Sequence, residues 1–119
     1  MGRGQGLRRT YRKLVRDRIP EIIESQGGSC QCRILAEDEY TRALKAKLVE
    51  EAQEALVADD REGLLRELAD VMEVVDSLLK ATGLSISALR EEQRRRREER
   101  GGFERRLSLI WSQWPEEGS

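Results

Sequence analysis

LLRELADVMEVVDSLL, residues 64–79, is the stretch whose reading decides the fold. Apolar residues recur at Leu64, Leu65, Leu68, Val71, Met72, Val75, Leu78 and Leu79, the three-and-four spacing of an amphipathic helix with a wide apolar face. Glu67 and Asp70 stand at the edge of that face rather than opposite it. A carboxylate at the border of a buried stripe costs desolvation energy. The stretch therefore predicts a helix from about Glu62 to Ala81, and it carries two acids whose cost something must offset.

The segment before it reads as a second long helix, from Asp38 to about Val57, with Tyr40, Leu44, Leu48, Ala52, Ala55 and Leu56 on its inner face. It closes on Glu50, Glu51 and Glu54. Carboxylates three apart on a helix sit side by side on one face. A short turn around Ala58 to Arg61 separates the two helices, so an antiparallel hairpin puts Glu51 and Glu67 at similar heights, each about six residues from the turn at roughly 1.5 Å per residue. Glu51, Glu54, Glu67 and Asp70 then face one another. Such a group repels itself unless cations neutralise it, and hard divalent ions such as Mg²⁺ prefer all-oxygen ligands. With 38% of residues charged, a Glu-rich helix face is ordinarily only a solvated one. Here the position beside an apolar stripe favours the metal site.

Composition narrows the chemistry. The 119 residues suit one domain with a modest core, and only 4% of them are aromatic, as expected of a helical core of Leu, Val and Ala. A net charge of −1 does not describe a nucleic-acid polycation. The absence of histidine removes His-based zinc sites, Ser/His/Asp triads and histidine general bases, leaving carboxylates, Lys and Arg to carry any catalysis. Cys30 and Cys32 read as reduced, buried or half-buried thiols, since residues two apart do not form a usual bridge and two further zinc ligands are missing. No apolar run is long enough for a membrane span or a signal sequence, which places the expected location in the cytoplasm.

The remaining elements follow from local signals. Residues 1–10 form a Gly/Arg-rich flexible tail, and the domain is expected over 11–111, with a C-terminal tail over 112–119. Pro20 suits the first turn of a short helix through Glu21, Ile22, Ile23 and Glu24 that stops at Gly27-Gly28. Cys30 to Leu35 reads as a short extended segment. Gly83 ends the third helix, Ser85 can cap a fourth reaching about Glu99, and Gly101-Gly102 stops it. Phe103 to Trp111 is either a strand or an irregular arm. The fold class is all-α: a bundle-like domain of about four helices with one short extended segment.

With these residues placed, the chain resembles the MazG-like all-α nucleoside triphosphate pyrophosphatases, in particular the small branch related to phosphoribosyl-ATP pyrophosphohydrolase. That superfamily carries E-E-x-x-E followed by E-x-x-D. Here Glu50-Glu51-Ala52-Gln53-Glu54 is followed, after residues 55–66, by Glu67-Leu68-Ala69-Asp70. The segments Lys13-Leu14-Val15-Arg16-Asp17-Arg18-Ile19-Pro20 and Arg100-Gly101-Gly102-Phe103 also look like the small branch. The resemblance implies Mg²⁺-dependent hydrolysis (Mn²⁺ being a possible substitute) between the α and β phosphates of a nucleotide, giving a monophosphate and pyrophosphate. House-cleaning of damaged or surplus nucleotides, dUTP or dCTP hydrolysis and phosphoribosyl-ATP hydrolysis share this apparatus, so the base is left open.

Roles follow from both lines of reasoning. Glu51, Glu54, Glu67 and Asp70 are the expected metal ligands. Glu50, rotated from Glu51, either handles the attacking water together with the Glu51 site or is a solvated bystander. Lys47, four residues before Glu51, is a phosphate contact or a helix ion pair. Arg16, Arg96 and Arg100 are candidate phosphate ligands, set against the reading in which interleaved acids make the Arg94 to Arg106 region a solvated mixed-charge face. Short helices that leave apolar edges, together with Trp111 and Trp114, point to a homodimer or homotetramer, as the resemblance also implies. The competing class is a non-catalytic helical oligomer that binds metal or a protein partner. Nucleic-acid binding through the arginine run is disfavoured, because stacking aromatics are missing near it.

Overall fold

The computed structural model describes residues 6–116. It contains four helices and, among the described residues, no strand: α1 (Ile19–Ser25), α2 (Glu37–Val57), α3 (Arg61–Thr82) and α4 (Ile86–Arg100). The all-α class is therefore as predicted, with helix ends within a residue or so of expectation. The chain divides into two compact units, Met1–Ser85 and Ile86–Ser119.

Local chemistry sets the ends of each helix. Pro20 occupies the first turn of α1, where its missing N–H costs nothing. Glu39 Oε1 accepts the Ala36 N–H at 3.2 Å, holding the start of α2, and Arg33 grips the same carboxylate through two N–H groups at 3.2 and 2.8 Å. Asp60 Oδ1 accepts the Gly63 N–H at 2.7 Å and so caps α3. A Cβ at Gly63 would come to 3.0 Å from that oxygen, so the glycine gives the cap room. Gly83, at φ 73°, takes the left-handed conformation that lets Leu84 N–H reach Leu79 O at 2.9 Å and close α3.

The first unit is built on an α2–α3 hairpin across the turn 58–60. Its buried apolar residues are Leu44, Val74 and Leu79, with Leu14, Val15, Ile19, Ile23, Tyr40, Leu48, Val71, Val75 and Leu78 half-buried around them. The inward faces are as predicted at Tyr40, Leu44, Leu48 and Ala55 of α2 and at Val71, Val75, Leu78 and Leu79 of α3, and depart from the prediction elsewhere. On α2, Lys47 and Glu51 lie inward, while Ala52 and Leu56 are exposed. On α3, Glu67, Asp70 and Val74 lie inward, while Leu64, Leu65, Leu68 and Met72 are exposed. A single neighbouring helix covers only one side of an apolar face this wide. The hairpin spends that coverage partly on charged residues and leaves four large apolar side chains of α3 on the outside.

The second unit contains α4 and the segment after it. Gly101, at φ 83°, ends the helix and donates its N–H to Arg97 O at 2.7 Å. Residues 106–116 form no regular structure, and Phe103, Trp111 and Trp114 are exposed, so the irregular-arm reading holds rather than the strand. Cys30 and Cys32 are free thiols, as predicted, but both are exposed rather than buried, because their segment has no packed element over it. Residues 6–10 are exposed without regular structure, while residues 1–5 of the predicted tail and 117–119 of the C-terminal one lie outside the described residues. Among the described residues no helix is long and apolar enough to cross a membrane.

Candidate active site

The hairpin brings Glu51 and Glu54 of α2 against Glu67 of α3. One carboxylate oxygen from each lies within 4.8 Å of the others. Glu51 is buried, Glu67 half-buried and Glu54 exposed, so the group opens from the interhelical seam toward solvent. The antiparallel register inferred from equal distances to the turn is the cause.

Glu67 is the strained member. Its Oε2 is shut off from solvent and has no hydrogen-bond partner. Loss of water on burial, followed by the charges of Glu54, Asp70 and Glu51, pushes its carboxyl above the ordinary range, with Arg66 opposing weakly. An unpartnered buried carboxylate oxygen facing two more carboxylates is electrostatically costly, and a bound cation would offset that cost. The donors are all hard oxygens, which suits Mg²⁺ or Mn²⁺ and not a soft metal.

Asp70 lies one turn along α3 and takes a different partner. Arg16 Nη2 donates to its Oδ1 at 2.6 Å, so Asp70 bears on the cluster through its charge, while its carboxylate is engaged by the N-terminal segment. Glu50 is likewise held from two sides. Lys13 Nζ donates to its Oε1 and Lys47 Nζ to its Oε2, each at 3.3 Å. Burial raises the Glu50 pKa, but the two ammonium contacts outweigh it, and the carboxyl is held below the usual range. Lys47 also reaches Glu51 at 3.6 Å. Glu50, Glu54 and Glu67 share a groove of about 480 Å³ with Gln53, Val57, Ala58 and Gly63 at the turn end of the hairpin.

Of the residues singled out from the sequence, the structure brings Lys47, Glu50, Glu51, Glu54, Glu67, Asp70 and Arg16 into one neighbourhood. Arg96 and Arg100 are exposed on α4, four residues apart, in the other unit. Lys13 was not singled out. Its signal, a cation three residues before Arg16, is too common in a chain this charged to stand out, and its partner Glu50 lies 37 residues away. Ala58 was legible only as a turn residue, and Gly63 fell inside the predicted third helix; neither read as groove lining.

The hairpin, the three converging carboxylates and the cations beside them define a helical protein with an acidic cluster in its α2–α3 seam. The chain matches the phosphoribosyl-ATP pyrophosphohydrolase family over residues 9–97 and belongs to that family, which lies within the MazG-like all-α nucleoside triphosphate pyrophosphatase superfamily. The chain is also 51% identical over 53 residues to an uncharacterised protein of Mycolicibacterium smegmatis; that stretch is 44% of this chain and 54% of the relative, so the match spans about half the relative's length. No solved structure matches.

Proposed function

We propose that the protein is a Mg²⁺-dependent nucleotide pyrophosphohydrolase that cleaves a nucleoside triphosphate or a related nucleotide between its α and β phosphates. In the reaction a water O–H bond and the bridging P–O bond break, the hydroxyl adds to phosphorus, and pyrophosphate leaves with the proton. The observation that carries this reading is the convergence of Glu51, Glu54 and Glu67, with Glu67 Oε2 buried and unpartnered. These three would hold the ion, with Asp70 as the adjacent fourth ligand. Once bound, it would supply charge neutralisation and Lewis acidity at phosphate oxygens.

The chain's own residues account for the rest. Glu50, kept ionised by its two lysines, accepts a hydrogen bond from the attacking water and orients it. Its low basicity suits positioning better than storing a proton. Lys47 and Arg16 offer N–H donors to phosphate oxygens; in the second unit, Arg96 and Arg100 are separate candidates for phosphate binding through their guanidinium forks. The groove of about 480 Å³ beside Glu50, Glu54 and Glu67 is open to solvent.

The test is a screen of nucleoside triphosphates, including damaged and surplus ones, for pyrophosphate release with Mg²⁺. Monophosphate plus pyrophosphate is the expected pair. Orthophosphate plus a diphosphate would overturn the reading, since the wrong bond would have broken.

A homodimer or homotetramer is part of the proposal. Leu64, Leu65, Leu68 and Met72 are exposed along one helix, an apolar strip that a monomer would leave in water. The same strip favours the second reading, a non-catalytic helical oligomer. Sedimentation velocity decides the assembly, and the nucleotide screen decides between the two readings.

A further inference from the structure

The Lys13 to Arg16 segment is a strap. It straddles the α2–α3 hairpin, with Lys13 on Glu50 of α2 and Arg16 on Asp70 of α3. Leu14 and Val15, half-buried between them, hold it down. Both anchors are ion pairs to the acidic neighbourhood, so the strap carries positive charge to each side of the proposed metal site.

Its two ends are not equivalent. Asp70 is ion-paired with Arg16, so releasing Arg16 would leave that carboxylate exposed to the repulsion of Glu67. Glu50 has two cations. Lys47, its side chain 16% exposed and bound to Glu51 as well, is committed to α2, whereas the Lys13 side chain is 46% exposed on a segment without regular structure. Lys13 can therefore leave Glu50 without stranding it.

Charge supplies a destination. Glu50, Glu51, Glu54, Glu67 and Asp70 exceed Lys13, Arg16 and Lys47 by two charges when all are ionised, the charge of one divalent ion. With that ion bound the charges of these eight residues cancel, and an incoming polyphosphate brings new negative charge that a mobile donor can meet. An ammonium shared with a doubly paired carboxylate gains by moving to a phosphate oxygen that has no such partner.

We propose that Lys13 is a phosphate-binding residue, parked on Glu50 in the free protein and transferred to the pyrophosphate end of a bound nucleotide. The proposal rests on the pyrophosphohydrolase reading and adds a residue and a movement to it. The experiment is calorimetric titration, first of Mn²⁺, then of inorganic pyrophosphate into the Mn²⁺-loaded protein, for wild type, Lys13→Met and Lys13→Arg. Lys13→Met keeps the apolar stem, and its thermal melt checks folding. The expected result is unchanged Mn²⁺ affinity, pyrophosphate affinity lowered roughly tenfold in Lys13→Met, and recovery to within a few-fold in Lys13→Arg. Equal pyrophosphate binding by wild type and Lys13→Met overturns the role of Lys13, as does no pyrophosphate binding by metal-loaded wild type. Absence of Mn²⁺ binding to wild type overturns the metal-site reading beneath it, which keeps the two failures separate. If Lys13→Met does not fold, Lys13→Arg decides alone: Lys13→Arg at wild-type affinity supports a cation role, and a tenfold loss without change in Mn²⁺ binding overturns it.

Discussion

Arg16 Nη2 donates to Asp70 Oδ1 at 2.6 Å across 54 residues of sequence. The contact joins the N-terminal segment to α3 and occupies a carboxylate that stands one turn from the Glu51, Glu54 and Glu67 cluster. Both side chains are more than a third exposed, so the pair is worth at most about 1 kcal/mol to stability. Its larger effect is on the metal. Arg16→Ala should leave the melting temperature nearly unchanged and tighten Mn²⁺ binding several-fold by releasing Asp70, and Asp70→Asn should cancel that gain. Calorimetric Mn²⁺ titrations of both single variants and the double variant check this, and weaker binding in Arg16→Ala would refute it.

The carboxylate cluster predicts a stability response to metal. An ion that binds only the folded state stabilises it by about 2.7 kcal/mol at a hundredfold excess over its Kd. Mg²⁺ or Mn²⁺ should therefore raise the wild-type Tm by several degrees. Glu54→Gln and Glu67→Gln should abolish the rise while leaving the metal-free protein as stable or more so, since each relieves repulsion around the unpartnered Glu67 Oε2. Melts with and without metal measure it. Variants that simply unfold would mean the acids serve the fold.

Acid should weaken the start of α2. Glu39 is held at a pKa of about 2, against its ordinary 4.5, first by its hydrogen bonds from Arg33 and then by the Ala36 N–H. A depressed folded-state pKa gives stability that is complete above the unfolded value and is lost as pH falls through the folded one. The contribution of Glu39 is thus full above about pH 4.5 and disappears between there and about 2. Denaturation across that window should show a shallower acid limb for Glu39→Gln than for wild type. Parallel curves would contradict it.

Much of this was legible because the signals were local. The period of residues 64–79 gave α3, Asp60 and Gly83 bounded it, and equal offsets from the turn placed Glu51 opposite Glu67. The choice of inward face was legible in part: Tyr40, Leu44, Leu48 and Ala55 of α2 and Val71, Val75, Leu78 and Leu79 of α3 lie inward as read. Hydrophobic spacing pointed Leu64, Leu65, Leu68 and Met72 inward, but the structure turns Glu67, Asp70 and Val74 there, since a stripe spanning several faces does not say which face the hairpin uses. The contacts of Lys13 and Arg16 were beyond reach for another reason. They join residues 37 and 54 positions apart, and no periodic pattern encodes such pairings.

Glu50 separates positioning from ligation. It stands beside the cluster, is held ionised by Lys13 and Lys47, and is not among the three converging carboxylates. Glu50→Gln should lower kcat for nucleotide hydrolysis by roughly 10²-fold or more while leaving Mn²⁺ affinity within a few-fold of wild type. Glu51→Gln, Glu54→Gln and Glu67→Gln should lose both together. Steady-state kinetics beside metal titration distinguish the patterns. Full activity in Glu50→Gln would make it a bystander.

The arginines of α4 offer the last test. Arg94 pairs with Glu91 and Arg95 with Glu92, three residues back on the same helix, so both are already neutralised locally. Arg97 is bound to Glu104 at 2.9 Å. Arg96 and Arg100, four apart on one exposed face, are the two proposed to grip phosphate. Replacing both with Ala should raise KM or lower kcat/KM for the nucleotide by roughly tenfold or more, because guanidinium contacts to phosphate are among the stronger hydrogen bonds. Replacing Arg94 and Arg95 should change little beyond helix stability. If the run served nucleic acid instead, each loss would weaken oligonucleotide binding by a similar step, and affinity would fall steeply with salt. Kinetics of the two double variants, run beside oligonucleotide titrations at low and near-physiological salt, settle the matter. Unchanged nucleotide kinetics together with tight, salt-sensitive oligonucleotide binding would transfer these arginines from substrate to nucleic acid.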